Sequence, residues 1–119
     1  MPKNILVSIP GRLSFIALFL SILVIAKPAS AVEMTFYGSQ NFKFVSDEGK
    51  VILINPWIKG NKDAPISVDS YKKGDVDLIL TTSGHGDDQG NAVEIAARTG
   101  AKIFTVYELG AWMMGEIGK

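Results

Sequence analysis

The sequence predicts an α+β domain, with antiparallel hairpins first and a βαβ unit and a terminal helix after them. Three observations lead there. Residues 42–45 read Phe-Lys-Phe-Val, the alternation of a half-buried strand. Residues 51–54 and 76–80 are apolar runs of strand length. Ala92, Ile95 and Ala96 recur at the spacing of one helix face, between the second of those runs and a further expected strand at 102–106.

Taken in order, residues 34–38 alternate weakly and form the first expected strand, and 41–45 the second, with Phe42 and Phe44 on one face and Lys43 on the other. Asp47-Glu48-Gly49-Lys50 is turn chemistry, with Gly49 free to take positive φ. Residues 51–54 read as a fully buried strand, so 34–54 make a small antiparallel sheet. Pro56 has no N–H for a ladder and ends that strand. Residues 57–74 lack periodicity and read as a long loop with a short helical turn near 69–72. A fourth strand is expected at 77–82, a loop at 83–90, a helix at 91–99 stopped by Gly100, and a fifth strand at 102–106. A strand, helix, strand order of this length makes the two strands parallel. From Tyr107 a last helix places Leu109, Trp112, Met113 and Ile117 on one side.

The 119 residues suffice for one small domain. The chain has no cysteine, which excludes disulfides, thiolate zinc sites and cysteine nucleophiles. Lys3, Arg12 and Lys27 are the only charges in residues 1–31, so the remainder is mildly acidic and has no electrostatic route to nucleic acid. Residues 13–26 are uncharged and apolar, preceded by Lys3 and Arg12 and followed by Pro28 and Ala29-Ser30-Ala31. That is the layout of a signal peptide cleaved after Ala31, leaving a domain at 32–119 and exporting it to the periplasm or beyond. The run is shorter than the roughly 20 residues that span a bilayer comfortably. The competing reading is a membrane anchor formed by 13–26, the one route by which the chain would engage a membrane.

The candidate site lies at residues 81–91, Thr-Thr-Ser-Gly-His-Gly-Asp-Asp-Gln-Gly-Asn. The stretch holds the only histidine of the protein and two adjacent carboxylates. His85 reads equally as a metal ligand, a general base or a structural histidine. Asp87 and Asp88 read as cation ligands or helix caps, with the cap favoured for Asp88. Two carboxylates repel a phosphate, and glycines at 84, 86 and 90 miss the dinucleotide spacing. A Ser83–His85 catalytic pair has no independent support. Asn55 either bonds inward at the end of its strand or touches the site. Trp57 and Trp112 read as core or interface anchors.

Thr82-Ser83-Gly84-His85-Gly86-Asp87-Asp88 resembles the T-H-x-H-x-D-H signature of the metallo-β-lactamase superfamily. Residues 37–42, Tyr-Gly-Ser-Gln-Asn-Phe, resemble the opening strand pair of its small metal-dependent hydrolases. Leu53-Ile54-Asn55-Pro56-Trp57 resembles their L-I-D-P-W/F, and residues 90–102 with Glu108-Leu109 resemble the helix and strand that follow. The subgroup these stretches resemble is the one related to ascorbate-6-phosphate lactonase. The resemblance implies an αββα sandwich in which imidazoles and carboxylates hold one or two zinc or manganese ions that activate water. On it, Asp87 is the candidate catalytic residue and His85, Asp87 and Asp88 are the candidate metal ligands.

The sequence departs from the family pattern at most ligand positions. Ser83 and Asp88 stand where the signature has histidine, Ser39 stands where the subgroup often has another, and Asn55 replaces the Asp before Pro56. His85 and Asp87 are kept. The resemblance further implies that the distal ligands belong to a second half of the fold, leaving here the N-terminal half of the sandwich. A single imidazole cannot build a family-type zinc centre, and the remaining oxygens suit harder ions than zinc, or no metal at all. Two functions follow as expectations: an exported hydrolase relative with an impaired metal centre, or a non-catalytic binding or subunit module that keeps the fold. The sheet face that would meet the second half is expected to be apolar, carrying Val51, Leu53 and Phe42 or their neighbours. That face implies a homo-oligomer, a complementary chain, or a fragment that folds poorly.

Overall fold

The computed structural model describes residues 31–117. Except for Ala31, the segment expected to direct export lies outside them. Among these residues, five strands form one sheet in the order β1-β2-β3-β4-β5: Glu33–Phe36, Phe42–Val45, Val51–Ile54, Leu78–Leu80 and Lys102–Phe104. The first three pair antiparallel, and β3-β4 and β4-β5 pair parallel, as a hairpin series followed by a βαβ unit requires. Helix α1 is the short Gly86–Gln89, α2 is Ala92–Thr99, and α3 is Tyr107–Glu116. A 3-10 turn occupies Val68–Ser70, close to the helical turn expected in the long loop. No helix among the described residues is long and apolar enough to cross a membrane.

The β2–β3 turn follows from its residues. Gly49 sits at φ 77 and donates its N–H to Ser46, while the Ser46 N–H bonds back to Lys50. The start of β3 is fixed to β4 by Asp77, whose carboxylate accepts the Val51 N–H and the Lys50 ammonium, each at 2.9 Å. The Val51 N–H first, and Lys50 after it, hold that carboxyl below its usual value of 3.8. Gly100 ends α2 in the left-handed region at φ 80, returning its N–H to Ala96.

One face of the sheet is covered. Ala92, Ile95, Ala96 and Thr99 recur along the buried side of α2 and join Leu53, Ile79, Ile58, Val68, Val76 and Met113 in the core. Leu53 and Ile79 are partners in the β3-β4 register and are both 0% exposed. The other face lies open among the described residues, which corrects two expectations. β3 is not buried on both sides: only Leu53 is fully buried, and Val51, Ile52 and Ile54 are half-buried. The open face also carries Phe42, Ile52 and Ile54, whereas Leu53 packs in the core and Val51 against it. A run of four apolar residues records that a strand is apolar on both sides, not which side is covered.

Helix α3 departs from its expected face as well. Met113 is buried and Leu109 half-buried, but Trp112 and Ile117 are exposed. The helix is apolar on most sides, so its sequence does not select one orientation.

Candidate functional site

The site loop leaves the end of β4 and is held there by main-chain and amide contacts. Asn55 follows β3 in the left-handed region at φ 46, which asparagine tolerates better than most residues. Its side chain is buried and grips Thr82: Oδ1 accepts the Thr82 N–H and Nδ2 donates to the Thr82 hydroxyl, both at 2.9 Å. Both readings of Asn55 therefore meet in one residue, a strand-end turn that also fastens the first residue of the loop. On the other flank, the Thr81 hydroxyl donates to Thr105 at 2.6 Å, just beyond β5.

The far end of the loop is fixed by Gly90 and Asn91. Gly90 takes φ 48, and a Cβ there would stand 2.6 Å from the Pro56 carbonyl oxygen and the Trp57 nitrogen. Only glycine allows that approach. The Asn91 N–H donates to the Pro56 carbonyl at 2.9 Å, and its side-chain oxygen accepts the N–H groups of Ile58 and Lys59 at 3.0 and 2.9 Å. Sequence reasoning missed this role of Asn91. Its available signal was an asparagine between a glycine and an amphipathic helix, a pattern that reads first as a helix cap.

Between these anchors the structure corrects the loop expected at 83–90. Residues 86–89 form the turn of α1, with the Asp88 and Gln89 N–H groups both bonding the His85 carbonyl. Two flanking glycines and two aspartates mask that helical turn in the sequence. Asp88 does not cap the following helix. It lies inside α1, is buried, and accepts the Ser83 hydroxyl at 2.5 Å through Oδ2.

The three polar side chains form a closed cluster. Ser83 Oγ accepts the His85 N–H at 3.1 Å and lies 3.0 Å from His85 Nδ1, which is itself 3.9 Å from Asp88 Oδ2. The hydroxyl has one proton, and Asp88 is its nearest acceptor. The His85 tautomer protonated at Nδ1 then completes the cluster by donating to Oγ. A Ser83 nucleophile activated by His85 needs the opposite arrangement, with the imidazole accepting the serine proton. The His85 side chain is 85% exposed. Asp87 is half-buried in the first turn of α1.

A divalent metal centre of the implied type fits these residues poorly. Among the described residues, no group of three histidine, cysteine, aspartate or glutamate side chains is placed to hold a metal ion. Asp88 Oδ2 is engaged by the serine, and Oδ1 is buried with no hydrogen-bond partner. Of the three positions of the signature-like stretch that would supply imidazole, one holds a hydroxyl and one a carboxylate, so a single exposed imidazole remains.

No family model matches the chain. Curated relatives do. A UPF0173 metal-dependent hydrolase of Thermodesulfovibrio yellowstonii is 43% identical over 97 residues, covering 78% of this chain and 36% of the relative. Another, of Koribacter versatilis, is 40% identical over 82 residues, covering 69% and 34%. A solved metallo hydrolase from the hyperthermophilic archaeon Ignicoccus hospitalis superposes with a TM-score of 0.62 at 35% identity, covering 71% of this chain and 36% of that one. This chain carries part of a metallo-β-lactamase-like fold. It spans about a third of the length of the curated relatives it matches. The five-stranded sheet with helices on one face is a partial metallo-hydrolase fold.

Proposed function

We propose that this chain is an exported relative of the metal-dependent hydrolases whose own metal centre is impaired. One observation carries the reading: Ser83 and Asp88 occupy two signature imidazole positions and bond each other. That bond takes up a carboxylate oxygen and a hydroxyl that would otherwise face an ion. His85 and Asp87 are the retained signature positions, and Asp87 is the residue to which a catalytic role would fall. Asp88 completes the oxygen-rich set that a zinc or manganese ion would meet. The N-terminal layout of Lys3, Arg12, an apolar run and Ala29-Ser30-Ala31 supports export, with membrane anchoring by 13–26 as the alternative.

A second reading is a binding or subunit module without catalysis. The Ser83–His85–Asp88 cluster favours it, because the serine hydroxyl is shared between Asp88 Oδ2 and His85 Nδ1 instead of being left open to an ion.

Metal analysis of purified protein tests the proposal. Wild type is expected to carry well under one zinc or manganese per chain. A Ser83→His, Asp88→His double variant is expected to gain metal, and to lose it again when His85→Ala is added. Near-stoichiometric metal in wild type, removed by His85→Ala, would instead mark a working centre. For export, the mass of the protein recovered outside the cytoplasm should begin at Val32. A full-length mass in the membrane fraction would favour the anchor.

A further inference from the structure

The open face of the sheet is more uniform than a water-facing surface requires. The strand register lines up two rows across all five strands. One row is Met34, Phe44, Ile52, Leu78 and Lys102, and the other is Phe36, Phe42, Ile54, Leu80 and Phe104. Only Lys102 is polar, and it lies at a corner on an edge strand. An antiparallel sheet with one face in water alternates polar residues onto that face. This sheet does not. The phenyl rings of Phe36 and Phe42 stand 5.1 Å apart, and those of Phe42 and Phe44 6.4 Å, so the β1-β2 end is a continuous aromatic surface.

We infer that a second copy of this chain covers the face, sheet against sheet, with β3 of one copy over β3 of the other. The size of the patch supports a copy as occupant. Met34, Phe36 and Phe104 are 60%, 57% and 71% exposed and the other six apolar members of the rows are half-buried. With about 200 Å² for each large side chain, the patch exposes on the order of 600 Å². That is the upper end of what monomers leave open. Doubled, it reaches about 1,200 Å², enough for a specific interface.

The arrangement suits a two-fold pairing. β3 is the middle strand of five, so an axis along it places β1 over the partner's β5 and the centre of each face on its own copy. Ile54 then meets its own copy at the centre, while Lys102 lies over the Met34 end of the other face and away from its own copy. Two sheets packed this way lie about 10 Å apart with interdigitated side chains. The inference does not depend on metal binding. It gives the site a neighbour, because a shallow apolar hollow of about 400 Å³ joins Phe42, Phe44 and Ile54 on this face to Asn55 and Thr82 of the site loop.

The absence of cysteine makes a direct test available in the full chain. Ile54→Cys, treated with a short bis-maleimide at micromolar concentration, should give a covalent dimer. Lys72→Cys, on an exposed loop position, should not. Ile54→Lys should shift the sedimentation mass from dimer to monomer and raise the dissociation constant at least 100-fold, with its circular dichroism unchanged. If Ile54→Lys fails to fold, the cross-linking comparison alone decides. A wild-type monomer at tens of micromolar overturns the inference. So does equal cross-linking at positions 54 and 72, or cross-linking of position 54 only to an added fragment spanning the C-terminal two thirds of a relative.

Discussion

Both faces of the sheet carry large apolar side chains and differ in what lies on them. On one side, Leu53 and Ile79 meet α2 and Met113 and lose all contact with water. On the other, Ile54 and Leu80, one residue along the same strands, stay half-exposed among the described residues. Sequence alternation therefore sets which residues share a face. Whether a face counts as core depends on a second layer, and that layer need not come from the same stretch of chain.

The largest effect should separate the two faces directly. Leu53→Ala removes a fully buried side chain and should cost about 2–5 kcal/mol in chemical denaturation. Ile54→Ala, measured at nanomolar concentration where any self-association is lost, should cost less than about 1.5 kcal/mol. Equal losses would mean that both faces are covered within one chain. A smaller effect concerns a flaw in the covered side. The Tyr71 hydroxyl is buried without a hydrogen-bond partner, and burial raises its pKa above the usual 10.0. Tyr71→Phe removes an unsatisfied group, so stability should be unchanged or rise by up to about 1 kcal/mol. A clear loss would reveal a partner for that hydroxyl.

The smallest effect lies at the seam between strands. Asp77 is more acidic folded than unfolded, because it accepts the Val51 N–H and faces Lys50. Its contribution is therefore complete above the unfolded value of 3.8 and fades as pH falls through the lower folded value. Lys50 is shifted upward by the same pair, so its share is complete below the usual 10.5 and lost only at higher pH. Unfolding midpoints of wild type should thus fall more steeply than those of Asp77→Asn below about pH 4. Parallel curves would remove Asp77 from the seam.

The fold was legible where one periodicity dominated. Phe42-Lys43-Phe44 fixed a strand and its faces, Ala92, Ile95 and Ala96 fixed a helix, and Gly100 fixed its end. Legibility failed where local chemistry has two meanings. Gly86 and the two aspartates read as loop, yet the His85 carbonyl gathers them into a helical turn. Asp88 read as a cap, and its burial depends on Ser83 five residues earlier. Asn41, Asn55 and Asn91 were hardest, because each acts through main-chain groups of another segment. Asn41, for one, donates to the Trp57 carbonyl at 3.0 Å.

The contact of Gly90 with Pro56 has an evolutionary consequence. The path of the site loop is held by Gly90, by the Asn55 grip on Thr82 and by the bond from the Asn91 N–H to the Pro56 carbonyl, none of which uses the side chain of His85 or Asp87. Inheritance of the loop's shape is thereby uncoupled from inheritance of its chemistry. Histidines can be exchanged one at a time at such a site, and the chain still presents a recognisable backbone for selection to refill or to use for something else.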